Sequence, residues 1–245
     1  MKDVEIIEPT WTLPGNVHAA FTLRVGGVSG PPYDSLNLGT HVGDAPDAVA
    51  ENRRRVRDQL QLPAEPAWLQ QIHGNRVADL DTELEPGAAD AVVARQGNRV
   101  CVIQVADCIP VLFAARDGAV VAAAHAGWRG LAGGVLDATV RQMGVAPADI
   151  LAWLGPGISQ RHFEVGDDVR AAFVADDEQA QGAFEANSRG RWQCDLYALA
   201  RRKLLGLGIK DVSGGGLCTY AQASKFFSYR RDGRCGRMAA LIWLG

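Results

Sequence analysis

The sequence predicts a mixed α/β fold of the α+β kind: a single-domain layered sandwich with mixed β-sheets flanked by helices. Three observations lead there. Short apolar, β-branched runs interleave with stretches of helical spacing, without the strand–helix–strand rhythm of a doubly wound sheet. The chain has 245 residues, 47% hydrophobic and 22% charged, enough to bury a core without staples. Its proline-containing segments, GPPYDS and LPAEPAW, are too short to separate independent units, so residues 1–245 read as one domain.

Residues 4–8 and 17–23 have strand composition and lead into a glycine-rich turn, RVGGVSGPPYDSLNLG. Asp44 to Leu60 is expected to be helical, capped by Asp47, with Val49, Val56 and Leu60 at helical spacing. Residues 67–77, AWLQQIHGNRV, read as a strand entering a turn at His73-Gly74. A helix is expected from Leu131 to Met143, stopped by Gly144 and Pro147. Another spans Cys194 to Leu205, with Leu196, Leu199, Ala200 and Leu204 on one face and Gly206 as a stop. The C-terminal segment holds an Asp232-Gly233 turn between two strand-like runs.

Composition excludes several classes. A net charge of −3 argues against a nucleic-acid-binding surface. No apolar run approaches the ~18 residues of a membrane span. The N-terminus, MKDVEIIEPTW, lacks a signal peptide's apolar region, so the expected location is the cytoplasm. Five cysteines, an odd number with no CxxC spacing, do not form a disulfide framework. A cysteine with a special role is then a metal ligand or a nucleophile, and the others default to small core residues.

Position singles one out. The runs 109–116 and 119–125 flank Asp117-Gly118, the strongest short hairpin signal. With that turn Arg116 faces Ala119 and Pro110 faces His125. Cys108 then lies two residues further along the same face, a diagonal neighbour about 7–8 Å from His125 at the backbone. Ile109, Val111 and Phe113 fall on one face of the hairpin, and Leu112, Ala114, Val121 and Ala123 on the other, so both faces are buried. Asp107, Cys108 and His125 therefore sit at the open end of an apolar hairpin. A cysteine and a histidine make half of a metal site or a thiolate–imidazole dyad. His73, followed by a glycine, is the first candidate for a third ligand and His41 the second; spacing alone does not choose between them.

These segments resemble the YfiH-type family, also called the laccase-domain or multicopper polyphenol oxidase family. The resemblance runs through TLRVGGVSGPPYDSLNLGTHVGD, WLQQIHGNRV, DAVVA, ADCIPVLF, AAAHAGWRG, LGPGISQRHFEVGDDV and CTYAQASKFFSYRRDGRCGRMAALIWL. It implies a zinc-dependent purine nucleoside phosphorylase with adenosine deaminase activity, acting on adenosine, inosine and S-methyl-5'-thioadenosine. The implied zinc ligands are His73, Cys108 and His125, and the implied partners are a purine nucleoside and phosphate. Cys108, His125 and Asp107 are the catalytic candidates, Asp107 either orienting a ligand histidine or moving protons. Arg24 and Ser29, in a glycine turn able to form an amide nest, are candidates for anion binding, with Arg230 beside Arg231 a second. Asn37 and Gln71 are candidates for the ribose or base edges. Gly155-Pro156-Gly157 is a further candidate source of backbone donors, and Trp128 a stacking surface. Relatives often carry a cysteine near Gln160–Phe163, which this chain lacks, leaving substrate preference open. Three alternatives stand beside this reading: a copper-dependent polyphenol oxidase, a metal-free hydrolase using Cys108 with His125, and a zinc-stabilised interaction module. The expected assembly is a monomer or small homo-oligomer.

Overall fold

The 109–126 hairpin is the spine of the molecule. In the computed structural model, which describes residues 3–83 and 85–245, strands β6 (Ile109–Ala115) and β7 (Val121–Ala126) pair antiparallel with Pro110 opposite His125. This is the register the Asp117-Gly118 turn predicts, and Pro110 introduces no bulge. The turn itself is wider than two residues. Ala115 N–H closes the ladder on Val120 O at 2.9 Å, and Gly118 N–H donates to Ala115 O at 3.0 Å. Gly118 takes φ +71°, which glycine adopts freely. Met1 and Lys2, part of the N-terminal run read above, and Leu84 lie outside the described residues.

Five further strands have ranges β1 (Ile6–Ile7), β2 (Val17–Thr22), β3 (Val77–Asp79), β4 (Ala91–Ala94) and β5 (Val100–Val105). The later ones are β8 (Ile150–Leu154), β9 (Glu164–Val165), β10 (Phe184–Ala186), β11 (Trp192–Cys194), β12 (Asp211–Gly214) and β13 (Met238–Leu244). A six-stranded mixed sheet has the order β12-β8-β6-β7-β4-β3, and a four-stranded antiparallel sheet the order β1-β2-β13-β5. A small third sheet is ordered β10-β11-β9.

Helices α3 (Val135–Met143), α4 (Asp167–Val174) and α5 (Leu196–Gly206) bury their apolar faces with Ile109, Val111 and Phe113 on one face of the large sheet. Leu112, Ala114, Val121 and Ala123, on its other face, pack with Phe21, Cys101, Ile103 and Ile242 of the four-stranded sheet. That second sheet turns Val100, Val102 and Leu241 outward onto Val56 of helix α1 (Pro46–Gln59) and onto Leu36 and Leu38. The predicted layered sandwich is thus what the chain forms, because β6 and β7 are apolar on both faces and each face demands a covering layer.

Local differences have local causes. Helix α1 starts at Pro46, whose missing N–H costs nothing in a first turn; Asp47 lies inside that turn and Ala45 takes the capping position. The helix read from Leu131 is broken into α2 (Trp128–Ala132) and α3 by Gly133-Gly134, with Gly134 at φ +82°. Helix α5 begins at Leu196 because Asp195 accepts from Ala198 N–H, while Cys194 ends β11. Residues 67–76 form no regular strand, only a Gln70–Ala88 bridge. The run before Asp232-Gly233 is a short helix, α6 (Tyr229–Asp232), capped by Ser228. Cys101, Cys194, Cys218 and Cys235 are buried core thiols.

Candidate metal centre and its cleft

His125 is the penultimate residue of β7 and Cys108 directly precedes β6, so the hairpin itself brings thiol and imidazole together. The third residue of the group comes from elsewhere. Asp90, fully buried directly before β4, accepts from the backbone N–H groups of Ile72, His73 and Gly74 at 3.1, 2.9 and 2.7 Å. Three successive amides aimed at one carboxylate form a nest, and this grip holds His73 at φ +62°. Asp90 Oδ1 also accepts from His125 Nδ1 at 2.9 Å, which leaves His125 Nε2 as the coordinating nitrogen. One carboxylate thus orients two histidines. Burial raises the Asp90 carboxyl, but the hydrogen bonds from His125, Gly74 and Ile72 outweigh it and hold it below its usual range.

Cys108 Sγ lies 3.9 Å from His73 Nε2, and ligand atoms of His73, Cys108 and His125 all fall within 4.8 Å of one another. Tetrahedral zinc with bonds of about 2.3 Å to sulfur and 2.0 Å to nitrogen separates such atoms by roughly 3.6 Å, so the group fits a metal ion with small rotations. Among the described residues it is the one convergent group of three such donors. Burial raises the Cys108 thiol, but the charge of His125 and hydrogen bonds from His125 and His73 bring it well below a free thiol. Burial lowers His125, but Cys108 and Asp90 outweigh it and hold the imidazole protonated to higher pH. The fold therefore favours the thiolate that a metal requires.

Gly127 makes room for this packing. A Cβ there would meet Cys108 Sγ at 2.8 Å and His73 Cδ2 at 3.1 Å. Gly127→Ala is therefore expected to weaken metal binding at least about tenfold, a ligand displacement comparable to loss of a supporting contact. A competition titration against a chromophoric chelator checks it; unchanged affinity would show that the ligands move aside freely.

The donor group opens into a cleft of about 520 Å³. Of the sequence candidates, Gln71, Asp107 and Arg230 line it together with the three ligands, and so do His41 and Trp128. Arg24, Ser29 and Asn37 do not. The Arg24 guanidinium donates to Asp34 O and Ala223 O, each at 3.0 Å. Ser29 Oγ donates to Asp44 Oδ2 at 2.6 Å, and the amides of Gly27 and Val28 donate to Ser35 Oγ and Asn52 Oδ1, so the expected nest is filled by its own loop. Asn37 is spent on Gly39, Asp44 and Arg237. Gly157 N–H is taken by the Tyr197 hydroxyl at 2.6 Å, and the Arg231 guanidinium by carbonyls and Asp232. Asp107 braces the wall rather than orienting a histidine: its oxygens accept from Thr219 Oγ1 at 2.6 Å and Arg230 N–H at 2.7 Å. The orienting role belongs to Asp90.

Sequence reasoning missed Asp90, Gln104, Arg129 and Arg237. Asp90 carried a signal, as an acidic residue directly before the all-apolar β4, where a buried charge needs partners. The other three carried none, because their exposure to the cleft depends on how the layers meet. Arg129 stacks on Trp128 at 4.4 Å, Arg230 on Phe163 at 5.2 Å and Arg237 on Tyr229 at 5.9 Å. Among the described residues no carboxylate lies within ion-pair distance of these three, whereas Arg54, Arg55, Arg95 and Arg202 all have one.

Comparison with known proteins identifies the family. Residues 18–245 match the profile of the multi-copper polyphenol oxidoreductase laccase family. The purine nucleoside phosphorylase YfiH of Escherichia coli (strain K12) is 50% identical over 98% of this chain and 99% of its own. A purine nucleoside phosphorylase of Pseudomonas aeruginosa is 49% identical over 97% and 98%. The crystal structure of a Neisseria meningitidis protein superposes with a TM-score of 0.94 at 50% identity, covering 98% of each chain. Sequence and fold agree over almost the whole length, and the chain belongs to the multi-copper polyphenol oxidoreductase laccase family, the laccase-domain family of YfiH.

Proposed function

We propose that the chain is a zinc-dependent purine nucleoside phosphorylase acting on adenosine, inosine and S-methyl-5'-thioadenosine, with adenosine deamination as a second activity of the same site. The observation that carries this reading is a single cleft holding the His73–Cys108–His125 donors and three guanidiniums that form no ion pair among the described residues. The names of the E. coli and P. aeruginosa relatives support it.

Phosphorolysis brings a phosphate dianion to the anomeric carbon of ribose and releases a purine. Arg129, Arg230 and Arg237 supply positive charge for the anion in a partly desolvated cleft, where such attraction exceeds its value in water. Asp107 is the one carboxylate in the lining; its oxygens accept from Thr219 and from the Arg230 backbone N–H, and it balances one of the three positive charges. An acid–base role for Asp107 requires it to release the Thr219 or the Arg230 bond. Trp128, Phe163 and Tyr229 offer faces on which a purine stacks.

The donor set of one thiolate and two imidazoles suits zinc and leaves a fourth position open, the arrangement of catalytic sites. Zinc bound there supplies Lewis-acid polarisation and makes water more acidic. A multicopper oxidase reading fits less well. His18 stacks on Trp243 and His162 on Tyr220, and neither lines the cleft; His41 lines it but stands outside the convergent group, so among the described residues the donors converge on one ion. Five free cysteines suit a reducing cytoplasm, and no helix among the described residues is long and apolar enough to cross a membrane.

The test is incubation of zinc-loaded protein with adenosine or inosine, with and without phosphate. Phosphate-dependent release of adenine or hypoxanthine with ribose 1-phosphate is expected, and phosphate-independent conversion of adenosine to inosine reports deamination. A zinc-loaded sample that consumes neither nucleoside overturns the reading.

A further inference from the structure

Four of the five histidines have partners. His18 stacks on Trp243, His162 is hydrogen-bonded to Ser159 and stacks on Tyr220, and His73 and His125 belong to the metal group. His41 differs: it is exposed, it lines the cleft, and among the described residues its imidazole enters no hydrogen bond. It sits in a single turn, Thr40–Val42, and that turn is tied to Arg237, which directly precedes β13. Leu38 N–H donates to Arg237 O at 3.1 Å, and Arg237 N–H donates to Asn37 Oδ1 at 2.9 Å. Gly39 packs so closely on the Arg237 stem that an added Cβ would stand 2.8 Å from its Cγ. The turn that presents His41 and the residue that presents the Arg237 guanidinium are thus fixed to each other.

An imidazole is mostly neutral at pH 7, and its surroundings keep this one so. Partial burial lowers its pKa, and the positive charges of Arg237 and Arg53, then of His125 and His73, lower it further. A neutral imidazole has one nitrogen that accepts a hydrogen bond, and open side-chain acceptors are scarce in this cleft. Arg129, Arg230 and Arg237 only donate. Gln71 Oε1 takes Gln104 N–H at 2.8 Å, the Asp107 oxygens take Thr219 Oγ1 and Arg230 N–H, and Gln104 Oε1 is buried against Gly39. The Tyr229 hydroxyl remains, but a hydroxyl donates as readily as it accepts and so does not select.

Charge points the same way. Three guanidiniums less the Asp107 carboxylate leave two positive charges, the complement of a dianion, with no charge needed on His41. Sulfate and hydrogen phosphate are both tetrahedral dianions. They differ in that phosphate at neutral pH keeps a P–OH group, whereas sulfate has no proton to donate.

We propose that His41 selects the attacking anion: its imidazole accepts the hydrogen bond of the P–OH group of hydrogen phosphate while the guanidiniums donate to the other oxygens. This rests on the phosphorolysis reading above and names the residue that tells phosphate from an anion of the same shape and charge. Against sulfate the same nitrogen faces an oxygen lone pair, which leaves an acceptor unpaired and adds repulsion.

The experiment compares the zinc-loaded wild type with His41→Leu at neutral pH and constant ionic strength. It measures KM for phosphate, KM for arsenate, which keeps a proton as phosphate does, and the inhibition constant of sulfate competing with phosphate. The wild type is expected to bind phosphate at least about tenfold more tightly than sulfate. In His41→Leu both KM values should rise at least about tenfold while the sulfate constant stays within about twofold, as loss of a neutral acceptor requires. Zinc content and thermal midpoint should match the wild type, because His41 is exposed and stands outside the ligand group. Equal weakening of phosphate and sulfate, the mark of a lost positive charge, overturns the proposal. So does a wild type that binds the two anions equally, a preference that survives in His41→Leu, or a variant that loses zinc or melts several degrees lower. A zinc-loaded wild type that consumes no nucleoside in phosphate defeats the functional reading itself, whereas an active one without phosphate preference defeats only the role of His41.

Discussion

Replacing Cys108 by alanine is expected to lower bound zinc from about one ion per chain to near zero and to reduce phosphorolysis by at least about a thousandfold. Two imidazoles alone hold zinc poorly, and the thiolate supplies the anionic ligand. The fold should survive, because Cys108 is half-buried and precedes β6 rather than filling the core. Chelation gives the matching result. Metal that binds only the folded state stabilises it by about 4 kcal/mol at a thousand times its Kd. The wild type should therefore lose both activity and thermal midpoint on metal removal and regain them with added zinc, while Cys108→Ala should respond to neither. Metal analysis with calorimetry decides the matter. Activity that survives thorough chelation but is lost on thiol alkylation would instead select the metal-free Cys108–His125 hydrolase.

Asp90→Asn is expected to weaken zinc binding by about 10–100-fold, the usual effect of losing a carboxylate that orients ligand histidines. It should also cost roughly 3–5 kcal/mol of stability, as breaking a buried charged cluster does. The carboxylate accepts four hydrogen bonds, three of them from successive amides, and an asparagine NH2 would face donors it cannot serve. A chelator competition and a denaturant titration separate the two effects. Activity restored at saturating zinc marks Asp90 as a positioning residue for the metal. A lowered midpoint with unchanged zinc affinity would confine it to the fold.

Legibility differed from one part of the site to another. The register of the 109–126 hairpin was readable because a few turn residues and the period-two alternation determine it. The split of the helix after Trp128 was written in Gly133-Gly134, but a glycine pair reads equally as a weak spot in a continuous helix. The glycine-rich turn at Arg24–Gly30 looked like an anion nest and is occupied by Ser35 and Asn52. The nest that does hold a carboxylate, at Ile72–Gly74, contains one glycine and carried no such signature. An amide nest depends on who fills it, and the filler is a tertiary partner.

By itself the sequence determined the layered α+β class and the pairing of Cys108 with His125. Both follow from local rules, an apolar hairpin covered on two faces and a turn that sets register. The family resemblance named His73, which spacing alone did not choose; only the tertiary structure decided how it is held against the pair, that Asp90 orients two members of the group, and that Arg129 and Arg237 face the cleft while Arg24 does not. The bond between His125 and Asp90 and the contact between Cys108 and His73 each span 35 residues. At that separation no local preference specifies geometry, and the packing of the two sheets, with the loops they carry, chooses which polar groups meet.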